Sequence, residues 1–442
     1  MKCNHFTDII EQGRQKWPDR PAIRSFRSGG METVTYGQLY DLVMNRSEEL
    51  KEDRCVCCGL YGPASIAWIV DFFAAAIAGK RTVLLDPQLP EDAVLRMIQE
   101  YRIDRILPDR HDLPTAEPLR DAYGGCVLLF TSGTTSSNKA VVLSQKALSF
   151  SAWNGQQMLA CNENDTIVSL LPLNHVFGLV CTLLWPLSFG ACVGIGRGMR
   201  CYTEDLRLYE ATILVTVPTL LNYLFATESI PESVHTVLIG AAPCTMETIR
   251  AIQSRGIRVS FGYGLSETAS GLAISVNGED PFAMDLCPDT QAVISEDKEV
   301  LVSTPCMMEG YWKKPQDTEA VLKNGVLHTG DLGFLDENGR LHIIGRKNDV
   351  LVLPNGEKIF CPEWEKQISE SLGNEIALVI LYDTLTLVAG NGMDEEKVRQ
   401  AVDQFNLRQP MSRRILNIRV LDEPLPRTET GKIRRWKLEE LL

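Results

Sequence analysis

The chain has 442 residues, of which 45% are hydrophobic and 23% charged. That is the composition of a globular protein, and its length predicts about two to four domains. Its 44 basic and 57 acidic residues leave a net charge of −13, which argues against a general nucleic-acid binder, because phosphate backbones require clustered lysine and arginine. We expect a cytoplasmic protein with no transmembrane segment. The sequence contains no apolar run of the ~20 residues that span a bilayer, and its first residues lack the apolar stretch of a secretory signal.

Helical and strand patterns alternate through residues 1–125. Apolar residues at helical spacing predict helices in VTYGQLYDLVMNRSEEL (34–50) and in SIAWIVDFFAAAIAGK (65–80), the second ending at Gly79. Short apolar runs predict strands in CVCCGLYG (55–62) and RTVLLDP (81–87). This alternation indicates layers of helices on a sheet, an α/β fold.

Three of the 13 cysteines stand in one of these strand-like runs, at Cys55, Cys57 and Cys58. A metal site is one interpretation, but no second pair follows at the spacing of a zinc site. We favour the other interpretation, that the thiols are small buried hydrophobes in a reducing compartment.

The middle of the chain continues with apolar runs that each end in proline, DTIVSLLP (165–172), ATILVTVP (211–218) and VHTVLIGAAP (234–243). EVLVSTP (299–305) and GRLHIIGR (339–346) predict strands of a more β-rich region, and the polar GRKND (345–349) is a candidate linker. Strand and helix patterns then predict a small α+β unit near the C-terminus. We therefore predict a large N-terminal domain, residues 1–347, of layered α/β subdomains and a β-rich subdomain, followed by a small mobile α+β domain, residues 348–442.

One polar stretch, LLFTSGTTSSNKAVVLS (128–144), separates two apolar runs. It fails the Walker A pattern G-x-x-x-x-G-K-[ST], because Asn138 replaces the second glycine and Ala140 replaces the magnesium-binding hydroxyl. It leads into a strand, and Ser144 is the predicted cap of a later helix. A strand–loop–strand unit of this kind can hold phosphate through its amides, its hydroxyls and Lys139. A solvated hairpin tip is the alternative.

Five segments in order along the chain resemble the motifs of the adenylate-forming superfamily, which includes acyl-CoA synthetases, luciferases and peptide-synthetase adenylation domains. They are TSGTTSSNKA (131–140), LIGAAP (238–243), GYGLSETAS (262–270), HTGDLGFLDENGRLHIIGRKND (328–349) and LPRTETGKIRRWKL (425–438). The resemblance implies an AMP-forming acid–thiol ligase. Such an enzyme joins a carboxylate to AMP from ATP, releases pyrophosphate and then transfers the acyl group to a thiol. ATP, Mg²⁺ and coenzyme A are the implied cofactors and co-substrate.

The resemblance also implies roles for individual residues. The implied nucleotide-binding residues are Thr131, Ser132, Gly133, Thr134, Thr135 and Lys139 in the phosphate grip, Gly240, Ala241, Ala242 and Pro243 in the adenine turn, and Tyr263, Gly264, Ser266, Asp331 and Arg346. Tyr263 is expected to stack on adenine and Asp331 to accept the ribose hydroxyls. Glu267 would hold Mg²⁺ and Asn348 would be the hinge between the domains. The phosphate loop departs from the usual form at Ser136, Asn138 and Ala140, which predicts a less standard loop.

Two further residues complete the implied catalytic set. Lys432 would reach from the small domain to the substrate carboxylate and the α-phosphate, and His175 would stand near that carboxylate. The alternatives are ordinary structural roles: a solvated lysine for Lys432, a core histidine for His175, a surface or capping residue for Glu267 and a core aromatic for Tyr263.

The implied acyl pocket falls in LPLNHVFGLVCTLLWPLSFGACVGIG (171–196), which contains no Asp or Glu to hold an α-ammonium group. An amino acid substrate is therefore disfavoured. Phe177, Leu179 and Val180, with small Gly178 and Gly271, would fit an alkyl chain or a flat ring. We expect a fatty acid, with an aryl acid as the alternative. The expected thiol is coenzyme A, with a separate acyl carrier protein as the main alternative, and a non-catalytic nucleotide-binding relative is the rival from another class.

Overall fold

The computed structural model describes residues 3–27, 29–108, 113–119, 122–131, 139–240, 246–276, 280–353, 357–369, 372, 375–382, 384–427 and 433–442. Eight of the predicted site residues lie outside this description: Ser132, Gly133, Thr134, Thr135, Ala241, Ala242, Pro243 and Lys432. The loop substitutions Ser136 and Asn138 lie outside it too, as does the side chain of Asn348.

The described residues form short strands, most of them four to six residues long. They are β1 Pro21–Arg27, β2 Gly30–Thr35, β3 Cys57–Leu60, β4 Arg81–Leu84, β5 Arg105–Leu107, β6 Val127–Phe130, β7 Ala140–Leu143, β8 Thr166–Ser169, β9 Cys192–Ile195, β10 Ile213–Thr216, β11 Thr236–Ile239, β12 Arg258–Leu265, β13 Ser270–Ile274, β14 Asp285–Leu286, β15 Gln291–Ile294, β16 Glu299–Ser303, β17 Gly310–Tyr311, β18 Leu322–Lys323, β19 Val326–Leu335, β20 Leu341–Arg346, β21 Val350–Val352, β22 Lys358–Phe360, β23 Ile376–Leu381, β24 Thr384–Ala389 and β25 Asn417–Val420.

Helices alternate with these strands through most of the chain. They are α1 Phe6–Lys16, α2 Tyr36–Glu52, α3 Ile66–Ile77, α4 Glu91–Glu100, α5 Gln145–Met158, α6 Val176–Leu179, α7 Trp185–Ser188, α8 Tyr202–Leu208, α9 Pro218–Ala226, α10 Met246–Gln253, α11 Pro315–Val321, α12 Cys361–Ser369, α13 Glu395–Asn406 and α14 Arg435–Leu441. A π-helical turn, Val180–Leu184, joins α6 to α7. Where the structure describes the chain, every helix is too short or too polar to cross a bilayer.

Two large sheets form the centre of the α/β region. Within the described residues, one sheet has the order β14-β13-β12-β11-β10-β8-β9-β1-β2 and the other β17-β7-β6-β4-β3-β5. Strands β8 to β12 pair in parallel, with helices as crossovers. The runs that end in proline are buried on both faces, which explains why they read as continuous apolar segments.

The predicted strand–loop–strand unit and its capped helix are both confirmed. β6 and β7 pair antiparallel, with Phe130 opposite Ala140. Ser144 is the N-cap of α5, and its side chain accepts a hydrogen bond from the Ala147 N–H at 3.2 Å. The cysteine run also forms the predicted strand, since Cys57 and Cys58 lie fully buried in β3.

The β-rich region is an antiparallel sheet of the order β15-β16-β19-β18, with β20 paired to β19. The last part of the chain combines β21 to β25 with α12, α13 and α14, as the predicted α+β unit requires. The buried residues of the main hydrophobic cluster end at Leu341, and those of a separate cluster begin at Leu353. This division agrees with a domain boundary near residue 347, and the boundary itself stays a prediction.

Candidate active site

A cavity of about 620 Å³ opens between the carboxyl ends of the parallel strands and the β-rich sheet. Such an edge is where open α/β sheets bind ligands. Nine of the predicted site residues line it: Thr131, Lys139, His175, Gly240, Tyr263, Gly264, Ser266, Glu267 and Arg346. Segments that are far apart in sequence therefore meet at one place, while the role of each residue stays a prediction.

Asp331 lies one layer behind the cavity wall, with only 3% of its surface exposed. The Tyr263 hydroxyl donates to its Oδ2 at 2.6 Å, and the Arg346 Nε lies 2.8 Å from its Oδ1. Strand register creates this arrangement, because Asp331 in β19 stands opposite Arg346 in β20. Burial, followed by the charge of Asp331, raises the pKa of Tyr263 well above its ordinary value, so Tyr263 remains a neutral donor.

Glu267 sits in a single 3₁₀ turn, Ser266–Thr268, that follows β12 directly. Its Oε1 accepts a hydrogen bond from the Tyr311 hydroxyl at 2.6 Å, and its backbone carbonyl accepts one from the Met308 N–H at 2.8 Å. Burial and the neighbouring Glu267 raise the pKa of Tyr311, which therefore stays protonated. No described residue hydrogen-bonds to the second carboxylate oxygen of Glu267, and a hard cation prefers oxygen ligands of this kind.

Lys139 follows the predicted phosphate loop and directly precedes β7. The loop is closed at its base by the Thr131 N–H, which donates to the Lys139 carbonyl at 3.0 Å. The Lys139 ammonium lies 3.5 Å from Asp317 and 4.8 Å from the centre of the Tyr311 ring. The loop lysine, Tyr311 and Glu267 thus form a continuous chain of contacts along the cavity wall.

Sequence reasoning missed Tyr311 and a cluster of charged residues on the same wall. The Lys347 ammonium lies 2.6 Å from Asp297 and 3.0 Å from Glu299, which also accepts the Gly330 N–H at 3.0 Å. Although burial alone would raise it, the hydrogen bonds from Lys347 and Gly330 hold the pKa of Glu299 below its ordinary value. A glutamate at the start of the apolar run EVLVS was the available signal, because a buried carboxylate requires a partner.

The opposite wall of the cavity is apolar and extends toward the core. Phe177 and Val176 line it, together with Cys181, Leu238, Gly271 and Ile274. Burial raises the pKa of Cys181 to about 12, so its thiol behaves as an uncharged hydrophobe. His175, directly before α6, also lines the cavity.

Two of the expected pocket residues face elsewhere. A Cβ added to Gly178 would lie 2.2 Å from the Pro172 carbonyl oxygen, so this glycine permits close backbone packing. Leu179 is fully buried in the main core. Gly271, in contrast, faces open space, since a Cβ added there would meet no heavy atom within 4 Å.

A second cavity, of about 20 Å³, lies behind Cys181, Leu238, Gly271 and Ile274, which line both cavities. Trp185, Leu159 and Cys287 close its far side. A volume of this size holds a single small group. The small cavity therefore has no room for a long alkyl chain, and the fatty acid prediction is not supported.

Comparisons with known proteins agree with this architecture. A family model described as AMP-binding enzyme matches residues 10–124 and 113–312, more than half of the chain. The 2-succinylbenzoate–CoA ligase of Bacillus subtilis (strain 168) is 26% identical over 304 residues, which are 65% of this chain and 62% of that protein, so the match spans less than two thirds of the relative. The indoleacetate–CoA ligase of Aromatoleum aromaticum is 28% identical over 412 residues, 86% of this chain and 79% of the relative.

A solved structure extends the likeness in fold to nearly the whole chain. The o-succinylbenzoate coenzyme A synthetase of Bacillus subtilis, in complex with ATP and a magnesium ion, superposes with a TM-score of 0.81 over 97% of this chain and 98% of that one, at 22% identity. The predicted superfamily and α/β fold class are thus confirmed. The chain belongs to the AMP-binding enzyme family.

Proposed function

We propose that the protein is an ATP-dependent aryl-acid–CoA ligase. The carboxylate of the acid attacks the α-phosphorus of ATP, which forms acyl-AMP and releases pyrophosphate. The thiol of coenzyme A then attacks the acyl carbon and displaces AMP. Family membership supports the first step, and the names of the relatives, both of them CoA ligases, support coenzyme A as the thiol in place of a carrier protein.

The observation that carries the aryl assignment is the short, closed end of the apolar wall. A flat ring fits between residues such as Phe177 and Gly271, whereas a long chain would have to continue through Trp185 and Leu159. The relatives support the same reading, because 2-succinylbenzoate and indoleacetate both contain aromatic rings. The aryl acid that was the alternative in the sequence analysis therefore replaces the fatty acid.

In this proposal the described residues divide into three groups, which bind the adenine, the ribose and the phosphates of the nucleotide. Gly240 and Tyr263 receive the adenine, and Asp331 with Arg346 receives the ribose, since a carboxylate can accept from both hydroxyls. Thr131 and Lys139 hold the β- and γ-phosphates. Positioning and charge neutralisation provide most of the catalysis in such a reaction.

A magnesium ion would fit beside Glu267, because Tyr311 holds one carboxylate oxygen and no described residue hydrogen-bonds to the other. When bound, the ion would neutralise charge on the triphosphate, with its other ligands coming from phosphate and water. The neutral Tyr311 orients the carboxylate toward that position.

We further propose that residues 348–442 form the small domain that brings Lys432 to the reacting atoms, with the hinge at Asn348. The separation of the buried hydrophobic clusters supports this division. A flexible ammonium suits charge that develops on several oxygens.

Pyrophosphate exchange with the full chain, ATP, Mg²⁺ and a panel of acids tests this function. The panel runs from acetate to palmitate and includes benzoates, phenylacetates and cinnamates. We expect exchange with aryl acids, and thioester formation when coenzyme A is added. Exchange confined to long alkyl acids would overturn the aryl assignment. Absence of exchange with every acid would favour the non-catalytic relative.

A further inference from the structure

The small enclosed cavity is bounded on one side by helix α5, which contributes Ser151 and Asn154 to its lining. These positions are three residues apart and so lie on one face of the helix. Both are buried, with 4% and 1% of their surface exposed. A cavity at the end of an apolar pocket is thus lined by two polar side chains.

The oxygens of these two side chains lack hydrogen-bond partners. Among the described residues, nothing pairs with the Ser151 Oγ or the Asn154 Oδ1. The Asn154 amide nitrogen donates to the Cys306 sulfur at 3.6 Å, which leaves the carbonyl end of the amide unpaired. Trp185 on the same cavity has its partner, since its indole nitrogen donates to Gln156 at 3.0 Å. Buried polar groups are seldom left unpaired, because burial without a partner is costly.

We propose that Ser151 and Asn154 determine the substrate specificity of the ligase, an inference that rests on the proposed function. The two side chains recognise a hydrogen-bond donor on the part of the aromatic ring that faces the small cavity. The substrate class is then a hydroxy- or amino-substituted aryl acid. The ring would lie beside Gly271, at the junction of the two cavities, and its single hydroxyl or amino group would enter the smaller one. The group donates a hydrogen bond to the Asn154 Oδ1. The Ser151 hydroxyl, which can both donate and accept, forms the second hydrogen bond with the group.

The same lining disfavours other substituents. All residues that line the small cavity are uncharged, so a second carboxylate there would be buried without a cation. A methyl group would leave both oxygens unpaired. A longer substituent exceeds a volume of about 20 Å³. A site built to hydrogen-bond a substrate hydroxyl or amine rejects the analogue without it, and with two partners we expect a preference of about 10- to 100-fold in kcat/KM.

The test compares matched acids in pyrophosphate exchange with the full chain. Each parent, benzoate, phenylacetate or cinnamate, is paired with its hydroxy and amino isomers. In the wild type we expect at least one substituted isomer to exceed its parent by about 10- to 100-fold. Asn154→Leu keeps the side-chain volume but removes the amide. In this variant the ratio of the rate with the substituted acid to the rate with its parent should fall to about 1, while the parent acids are still activated. Ser151→Ala should reduce it in part.

Ser149→Ala is the matched control. Ser149 lies on the same helix and also has a buried hydroxyl without a partner among the described residues, but it is not part of the cavity lining. Its substitution should leave the substituent ratio unchanged. The proposal is overturned if parent and substituted acids react equally in the wild type, or if the folded Asn154→Leu or Ser151→Ala variant keeps the full ratio. Failure of every acid would instead overturn the proposed ligase function.

Discussion

At the scale of single residues, the pairing of Glu267 with Tyr311 has the clearest consequences. A carboxylate that rotates freely does not hold either oxygen in a fixed position for a cation. The 2.6 Å hydrogen bond from Tyr311 fixes one oxygen of Glu267 and thereby orients the other. The motif around Glu267 made its position predictable from sequence. Its partner was not predictable, because Tyr311 comes from a separate two-residue strand paired to β7.

Tyr311→Phe should lower the rate of acyl-AMP formation by about 10-fold, because it removes one hydrogen bond of the Glu267 carboxylate, the proposed magnesium ligand, while the ring beneath Lys139 stays. The apparent Mg²⁺ requirement should rise, as measured by pyrophosphate exchange over a Mg²⁺ titration. Tyr209→Phe is the matched control, since its buried hydroxyl donates to the Ile195 carbonyl at 2.8 Å. An unchanged Mg²⁺ dependence in Tyr311→Phe would remove this positioning role.

Asp331→Ala should weaken ATP binding by at least about 10-fold and lower the free energy of unfolding by about 1–3 kcal/mol, because the buried Tyr263 hydroxyl loses its acceptor. Calorimetric titration with ATP and urea denaturation measure the two effects. Asp336→Ala, in the adjoining hairpin turn, removes a carboxylate paired with Arg340 and should leave nucleotide affinity unchanged. Equal ATP affinity in wild type and Asp331→Ala would exclude Asp331 from the ribose site.

At the scale of elements, helix α5 contributes to the lining of the small cavity and strand β16 to that of the large one. Helix α5 starts at the Ser144 cap, which the sequence predicted because Ser precedes a helical pattern. Its inward face, with Ser151 and Asn154, became visible only in the structure, because apolar spacing alone does not identify the residues that line a cavity. Strand β16 places Glu299 beside Lys347, the last residue before the predicted start of the small domain.

Ser144→Ala should lower the free energy of unfolding by about 1 kcal/mol, because the first turn of α5 loses its side-chain acceptor. Urea denaturation of the full chain measures this change. Ser144→Asp restores a capping oxygen and should recover most of the loss. A full-sized loss in Ser144→Asp would show that the effect is not capping.

Glu299→Gln should change how stability depends on pH. The pKa of Glu299 is lowered in the folded chain, so its ion pair contributes stability above the unfolded-state pKa near 4.5, and this contribution is lost as the pH falls through the lower folded-state value. The difference in unfolding free energy between wild type and Glu299→Gln should therefore be larger at pH 7 than at pH 3. Urea denaturation at the two values checks this, and a difference that grows toward pH 3 would contradict it.

At the scale of the whole molecule, the proposed reaction requires the part of the chain beyond residue 347 to serve the cavity of the part before it. The resemblance of the five segments predicted this arrangement, because Lys432, the implied catalytic lysine, lies in the last segment. The described residues show which side chains line the cavity, and Lys432 is not one of the residues that the structure describes.

Lys432→Ala should lower the rate of acyl-AMP formation by about 100-fold or more, while thioester formation from supplied acyl-AMP is retained. Pyrophosphate exchange and thioester release from synthetic acyl-AMP measure the half-reactions separately. Lys437→Ala, an exposed lysine on α14, is the matched control and should retain both. Equal loss of the two half-reactions in Lys432→Ala would contradict the assigned role.

The sequence by itself determined the fold class, the superfamily, the strand–loop–strand unit and nine of the residues that line the large cavity. It could do so because these features depend on local patterns: apolar periodicity, a cap before a helix, and motifs whose members are neighbours in the chain. The tertiary structure alone decided which side chains meet across elements: Tyr311 with Glu267, Glu299 with Lys347, and α5 with the small cavity at the end of the apolar wall. The physical reason is that pocket depth and hydrogen-bond partners depend on the packing of segments that are 44 or more residues apart in the chain. The apolar run at 171–196 is compatible with either a long pocket or a short one.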